Sequence, residues 1–159
     1  MSQRSTEHAT FVIERTYDVA PARVFAAWST SAAKTEWFGA PTEWGPSEHQ
    51  LDFRIGGSEL NRAGPPGGPV YTYNARYADI VPDERIVYAY TMDCDDTRIS
   101  LSVATVEFKP AGSGTQLTVT EQGVFLDGQD KPEYREEGTK HLLESLEAAL
   151  SAKPARTHS

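Results

Sequence analysis

The chain predicts an α+β fold in which a seven-stranded antiparallel sheet carries its helices on one side. Three observations predict it. Period-two alternation recurs in short stretches from residue 11 to residue 122, Gly-, Pro- and Asp-rich clusters separate those stretches, and a long 3.6-residue stripe occurs only near the end.

"TFVIERTYDV" sets Phe11, Ile13, Arg15 and Tyr17 against Val12, Glu14 and Thr16, and its β-branched and aromatic content favours a strand. "APARVFAAW" follows, with Pro21 suited to a first helical turn and Val24, Phe25 and Trp28 at helical spacing; "STSAAKTEWF" offers a Ser or Thr cap and a second short helix ending near Gly39 and Pro41. Six further strands are expected at about 43–55, 57–62, 70–81, 85–92, 98–109 and 115–122. Their connectors "GPPGGP", "VPDER", "DCDD" and "PAGSGT" hold the residues that turns require.

From Pro132 to Ala152 the period changes. Leu142, Leu143, Leu146 and Leu150 form one stripe, extended upward by Tyr134 and Gly138, with Glu144 and Glu147 opposite. A long amphipathic helix has one face to bury, so it should lie across the sheet; a strongly twisted sheet curls around it and leaves a concave space between them. The tail "KPARTHS" is expected to fray.

At 159 residues the chain is expected to form one domain with an ordered core of about 9–152. Its net charge of −8, without a basic run, makes nucleic acid and anionic membrane surfaces poor partners. "MSQRSTEHAT" lacks the pattern of a secretory signal, and no apolar stretch is long enough to span a bilayer, so a cytoplasmic location is expected. Lone Cys94 forms no internal disulfide, and Asp93, Asp95 and Asp96 around it disfavour the thiolate. His8, His49, His141 and His158 are scattered, so neither a metal site nor a cofactor is expected. The aspartates imitate a calcium loop, but Arg98 and Ala104 stand where Gly and Glu are required.

The stretch "LDFRIGGSEL" concentrates the functional question. Gly56 and Gly57 permit positive φ and a tight reversal between strands. Glu59 after them either faces solvent or faces the concave space, where a carboxylate needs a partner such as Arg62, Arg76 or a ligand cation. Tyr71, Tyr73 and Tyr77 share one face of a strand, and Tyr88 and Tyr90 one face of the next; they suit either cross-strand packing or walls that contact an aromatic ligand.

"FVIERTYDVAPARVFAAW", "EWFGAP", "LDFRIGG", "YADIVPDERIVY" and "GTKHLLESLEAAL", in this order and spacing, resemble the START-like (SRPBCC) superfamily. Within it they resemble the family named for the activator of the ninety-kilodalton heat-shock chaperone's ATPase, and the likeness covers nearly the whole chain. The resemblance implies a helix-grip fold, a curved seven-stranded sheet gripping the C-terminal helix around a cavity. It implies less about activity, since members include lipid binders, cyclases and cochaperones. It places Trp37, Phe38 and Trp44 at the cavity mouth and the first and last strands side by side, so that Arg15 and Glu121 form a structural ion pair or a clamp for a polar ligand group. Two positions depart from the family pattern: Glu59 stands where an aromatic or apolar residue is usual, and Thr139 where tryptophan is frequent. Both changes imply a roomier, more polar cavity.

The expected function is binding of a small apolar or aromatic molecule by Trp37, Trp44, Phe53, Glu59, Tyr73, Tyr77, Tyr88, Tyr90, Thr139, Leu142, Leu143 and Leu146. A cyclase- or dehydratase-type enzyme using Glu59, Arg15 or Glu121 with a tyrosine hydroxyl is the first alternative. A cochaperone-like interaction module is the second; because the eukaryotic cochaperone carries a further N-terminal domain, ATPase stimulation is not expected. Monomer and homodimer stay equally open.

Overall fold

The computed structural model describes residues 4–45 and 47–151, so the tail expected to fray lies outside the described residues. In order the chain forms β1 (Thr6–Tyr17), α1 (Pro21–Ser29), α2 (Ser31–Thr35), a 3-10 turn (Thr42–Trp44), β2 (Glu48–Leu51), β3 (Ser58–Ala63), β4 (Tyr71–Val81), β5 (Arg85–Cys94), β6 (Thr97–Ala111), β7 (Gly114–Leu126) and α3 (Pro132–Ser151). The strands join in one antiparallel sheet of order β1-β7-β6-β5-β4-β3-β2. Only the β1–β7 contact joins strands distant in sequence. It closes the sheet order from Thr6 opposite Leu126 to Tyr17 opposite Thr115. This is the helix-grip α+β architecture.

The expected strand at 43–55 is much shorter than its sequence pattern. Trp44 N–H donates to the Pro41 carbonyl at 3.0 Å and Gly45 takes φ +86°, so the chain turns before it can pair, and only β2 joins the sheet. β7, in contrast, runs four residues beyond its expected end because β1 and β6 both pair with it through Leu126 and Phe125. The glycine pair divides its labour. Gly56 adopts φ +84°, whereas Gly57 is needed for space, since a Cβ there would collide with the Asp52 carbonyl oxygen. Both hold the hairpin to β4: Gly56 N–H donates to Tyr77 O and Tyr77 N–H to Gly57 O.

One end of the layered structure is solid. Pro21 opens α1, whose Val24, Phe25 and Trp28 are buried against Ile86, Val106, Phe108 and Leu117 of the sheet. Phe25 meets Phe108 edge-on at 5.4 Å and Phe53 at 5.7 Å. Leu146 and Leu150 of α3 join this core, and Tyr17 and Arg23 donate to the carbonyls of Leu143 and Leu150. Each leucine so buried stabilises the fold by about 2 kcal/mol relative to exposure.

The other end is hollow, and the inner face of β6 changes character toward it. Along the inner face of β6 the buried residues run Ser100, Ser102, Ala104, Val106, Phe108. Phe108 and Val106 fill the space under α1; above Ala104 and the two serines, Tyr90, Glu121 and Arg135 take the room beneath the N-terminal half of α3. Gly123 of β7 packs beside these small residues, where a Cβ would come within 2.7 Å of Ser102 Oγ.

Candidate functional site

The hollow is a cavity of about 1000 Å³ between α3 and the sheet. Tyr73, Tyr88, Tyr90 and Met92 form its sheet wall, Trp37, Phe38 and Trp44 come from the segment after α1, and Gly138, Thr139, Leu142 and Leu143 cover it from α3. Trp44 stacks on Tyr71 with ring centroids 6.0 Å apart, while Tyr134, 66% exposed, stands on the α3 side of the mouth. Inside, aromatic contacts fix the wall: Phe38 meets Tyr73 at 5.1 Å, Tyr73 meets Tyr90 at 4.8 Å, and Trp28 meets Trp37 at 4.7 Å. Trp37 Nε1 donates to Ala27 O, which locks its indole.

Of the residues expected to contact a ligand, Trp37, Trp44, Tyr73, Tyr88, Tyr90, Thr139, Leu142 and Leu143 line the cavity. Phe53, Glu59, Tyr77 and Leu146 do not. Phe53 sits between Phe25 and Tyr77, and Leu146 is fully buried in the solid end.

Glu59 lies in a separate buried cluster. Oε1 faces Lys34 Nζ at 2.6 Å and accepts the Tyr77 hydroxyl at 3.0 Å, while Oε2 faces His49 Nε2 at 2.8 Å. The Lys34 and Glu59 side chains have no solvent exposure. Burial depresses the pKa of the Lys34 ammonium against the attraction of Glu59. Burial also works to raise the Glu59 carboxyl, but Lys34, His49 and Tyr77 together outweigh it and hold the carboxyl below its usual range. The partners expected for Glu59 are engaged elsewhere: Arg62, of opposite strand parity, pairs with Glu48 at 3.1 Å, and Arg76 donates to Gly56 O at 3.3 Å. Lys34 also lies 4.4 Å from the Phe38 ring centroid. The cluster thus ties α2 and β2 behind the aromatic wall.

The expected Arg15–Glu121 pair does not form. The register sets Arg15 opposite Leu117 and Glu121 opposite Phe11, about 13 Å apart along the strands. Arg15 donates instead to Glu14 O at 2.8 Å. Glu121 belongs to the cavity, where Oε1 accepts the Tyr90 hydroxyl at 2.6 Å across the low Ala104 and Ser102 of β6. Arg135 of α3 donates to the same Tyr90 oxygen at 3.1 Å, to Ser100 Oγ at 2.9 Å and to Asp130 at 2.8 Å. Burial raises the Glu121 carboxyl above its usual range, opposed by the Tyr90 hydrogen bond and the Arg135 charge. Burial likewise raises the Tyr90 phenol, with Glu121 reinforcing it.

Lys34, Arg135 and Asn61 are not among the residues singled out from the sequence, and His49 figures there only as one of four scattered histidines. Lys34 shares a helical face with Trp37 and Phe38, His49 shares strand parity with Leu51, and Arg135 lies on the 135–139–142–146 stripe of α3, so periodicity marks all three as inward. Asn61 alternates with Glu59 and Ala63 on β3. Among the described residues no cluster of three or more His, Cys, Asp or Glu suited to a metal occurs, and no helix is long and apolar enough to cross a membrane.

Solved structures share this fold. An uncharacterized protein from Rhizobium leguminosarum is 46% identical, with a TM-score of 0.91 over 96% of this chain and 100% of its own. The Mll3558 protein from Rhizobium loti is also 46% identical, with a TM-score of 0.84 over 91% of this chain and 99% of its own. CalU16 from Micromonospora echinospora, at 16% identity and a TM-score of 0.61 over 94% and 85% of the two chains, shares the fold alone. No curated protein matches the chain. Residues 18–151, from the start of α1's approach to the last turn of the gripping helix, match the family described as Activator of Hsp90 ATPase homolog 1-like protein, and the chain belongs to that family.

Proposed function

We propose that the protein binds a small, largely aromatic molecule in the cavity under the N-terminal half of α3. The observation that carries this reading is the cavity itself: about 1000 Å³, walled by tryptophan and tyrosine rings and roofed by Leu142 and Leu143. That volume is at the upper end of small-molecule sites and accommodates two or three fused rings. Trp28 Nε1, Asn61 Nδ2 and Tyr73 OH, all on lining residues, are buried without a hydrogen-bond partner, which marks a wall whose polar groups are not closed by the protein.

The test is mass spectrometry of small molecules released from the denatured protein, paired with tryptophan quenching by a naphthalene probe. Thr139→Trp should fill the cavity and abolish quenching while leaving the circular dichroism unchanged. Equal probe binding by wild type and Thr139→Trp would refute the site. A second reading, acid–base catalysis, is favoured by one observation: the raised Glu121 carboxyl and the Tyr90 hydroxyl stand together in the cavity wall.

A further inference from the structure

Beside the unpartnered donors of Trp28, Asn61 and Tyr73, the cavity has a charged pole at Glu121, and its wiring is asymmetric. Glu121 is 5% exposed and lines the cavity; Oε1 takes the Tyr90 hydroxyl, and no protein donor meets Oε2 among the described residues. The Tyr90 hydroxyl donates its one hydrogen bond to Glu121, and its oxygen accepts one from Arg135. The guanidinium of Arg135, the cation beside this pole, is directed at Asp130, Ser100 and Tyr90, and sits 5.2 Å from the Phe125 ring and 5.6 Å from the Tyr90 ring. The positive group is therefore charge-paired with Asp130 and held by three protein acceptors, while the negative group has no ion-pair partner among the described residues and an oxygen without a donor. Asp130, Glu137 and Glu144 add further negative charge around the cavity. Among the described residues, Arg135 is the one Lys or Arg that lines the cavity.

A buried carboxylate with one unused oxygen binds a donor strongly and repels an anion, because the low local dielectric magnifies both effects. Aromatic rings around it add attraction for a cation and none for an anion. Resting on the binding reading above, we infer that the ligand is an aromatic molecule bearing a hydrogen-bond donor, a hydroxyl or a protonated amine, which docks on Glu121 Oε2, and that aromatic carboxylates are excluded. Tyr90 is a positioning residue, holding the carboxylate through Oε1 so that Oε2 points to the ligand.

A matched probe set tests this: naphthalene, naphthol, naphthylmethylamine and naphthoate, titrated against the intact protein at pH 7.5 by tryptophan fluorescence. Naphthol and naphthylmethylamine should each bind about tenfold or more tightly than naphthalene, as expected for a buried bond to a charged group, and naphthoate more weakly than naphthalene. Glu121→Gln keeps an acceptor for Tyr90 and adds a donor, so it should shrink the naphthol advantage severalfold and admit naphthoate. Tyr90→Phe should weaken naphthol without admitting naphthoate. The wild-type ranking needs no variant to fold. Naphthoate binding as tightly as naphthol to wild type would overturn the inference while leaving the binding site standing, and would assign anion recognition to Arg135. If no probe, naphthalene included, binds wild type, the site reading itself fails.

Discussion

Removing one charge from the Lys34–Glu59 pair probes the buried anchor behind the cavity. Lys34→Met keeps most of the side-chain volume and deletes the ammonium. The Glu59 carboxylate would then keep only His49 and Tyr77 as partners, at a position with no solvent exposure. Breaking a fully buried ion pair costs about 3–5 kcal/mol, because the surviving charge stays desolvated. For a chain of this length each kcal/mol shifts the thermal midpoint by about 2–4 °C, so a drop on the order of 10 °C is expected. Urea unfolding followed by tryptophan fluorescence at pH 7.5 measures the free energy directly. Glu59→Gln alone strands Lys34 in the same way, but the double variant Lys34→Met/Glu59→Gln removes both charges and retains an acceptor for Tyr77. It should therefore be much less destabilised than the two single losses added, with a coupling energy of about 2 kcal/mol or more. Because the pair is sealed from solvent, these values should hardly change with salt. A single-variant loss below about 1 kcal/mol, or additive single losses, would refute a buried charge pair at this site.

The two buried glutamates should answer pH with opposite signs. Glu59, whose folded carboxyl is depressed, contributes stability present above the unfolded glutamate pKa and lost as pH falls through the lower folded value. Glu121, whose folded carboxyl is raised, binds its proton more tightly in the native state, so stability falls as pH rises from the ordinary glutamate range through the raised value. Glu121→Gln should accordingly raise the thermal midpoint at pH 7.5, and the gain should vanish near pH 4; an equal loss at both pH values would count against the raised carboxyl. The glycines separate by cause. Gly138, in α3 with open space around its Cα, should accept Ala with a gain of about 0.8 kcal/mol, whereas Gly57→Ala forces a Cβ into the Asp52 carbonyl and should cost more than about 2 kcal/mol in urea unfolding. A neutral Gly57→Ala would show that the β2–β3 hairpin relaxes freely.

The architecture was legible because it rests on periodicity. Alternation along residues 71–81 and 98–109 and the leucine stripe of the last helix are each long enough for their period to be unambiguous, and a helix with one apolar face must cover the sheet. The strand expected at 43–55 failed where local chemistry competed: Gly45 takes a positive φ and the backbone folds back on Pro41 before the ladder begins. The Arg15–Glu121 pair failed for a different reason. Parity fixes the face a side chain occupies but not its place along the neighbouring strand, and four residues of offset put two inward-facing charges out of reach.

What parity hides, volume discloses. Hydropathy treats Ser100, Ser102, Ala104, Val106 and Phe108 as an ordinary inner strand face, yet the first three are small and the last two large, and the room over the small ones is taken by Tyr90, Glu121 and Arg135 of the cavity wall. The same small residues let Tyr90 reach across β6 to Glu121, so a single strand brings together the two polar groups in the cavity wall. Larger residues at 102 and 104 would separate Tyr90 from Glu121 and push both side chains into the cavity. Ser102→Leu should therefore lose probe binding even if the protein folds as stably as before, because the added methyl groups occupy the space over which the two polar side chains meet.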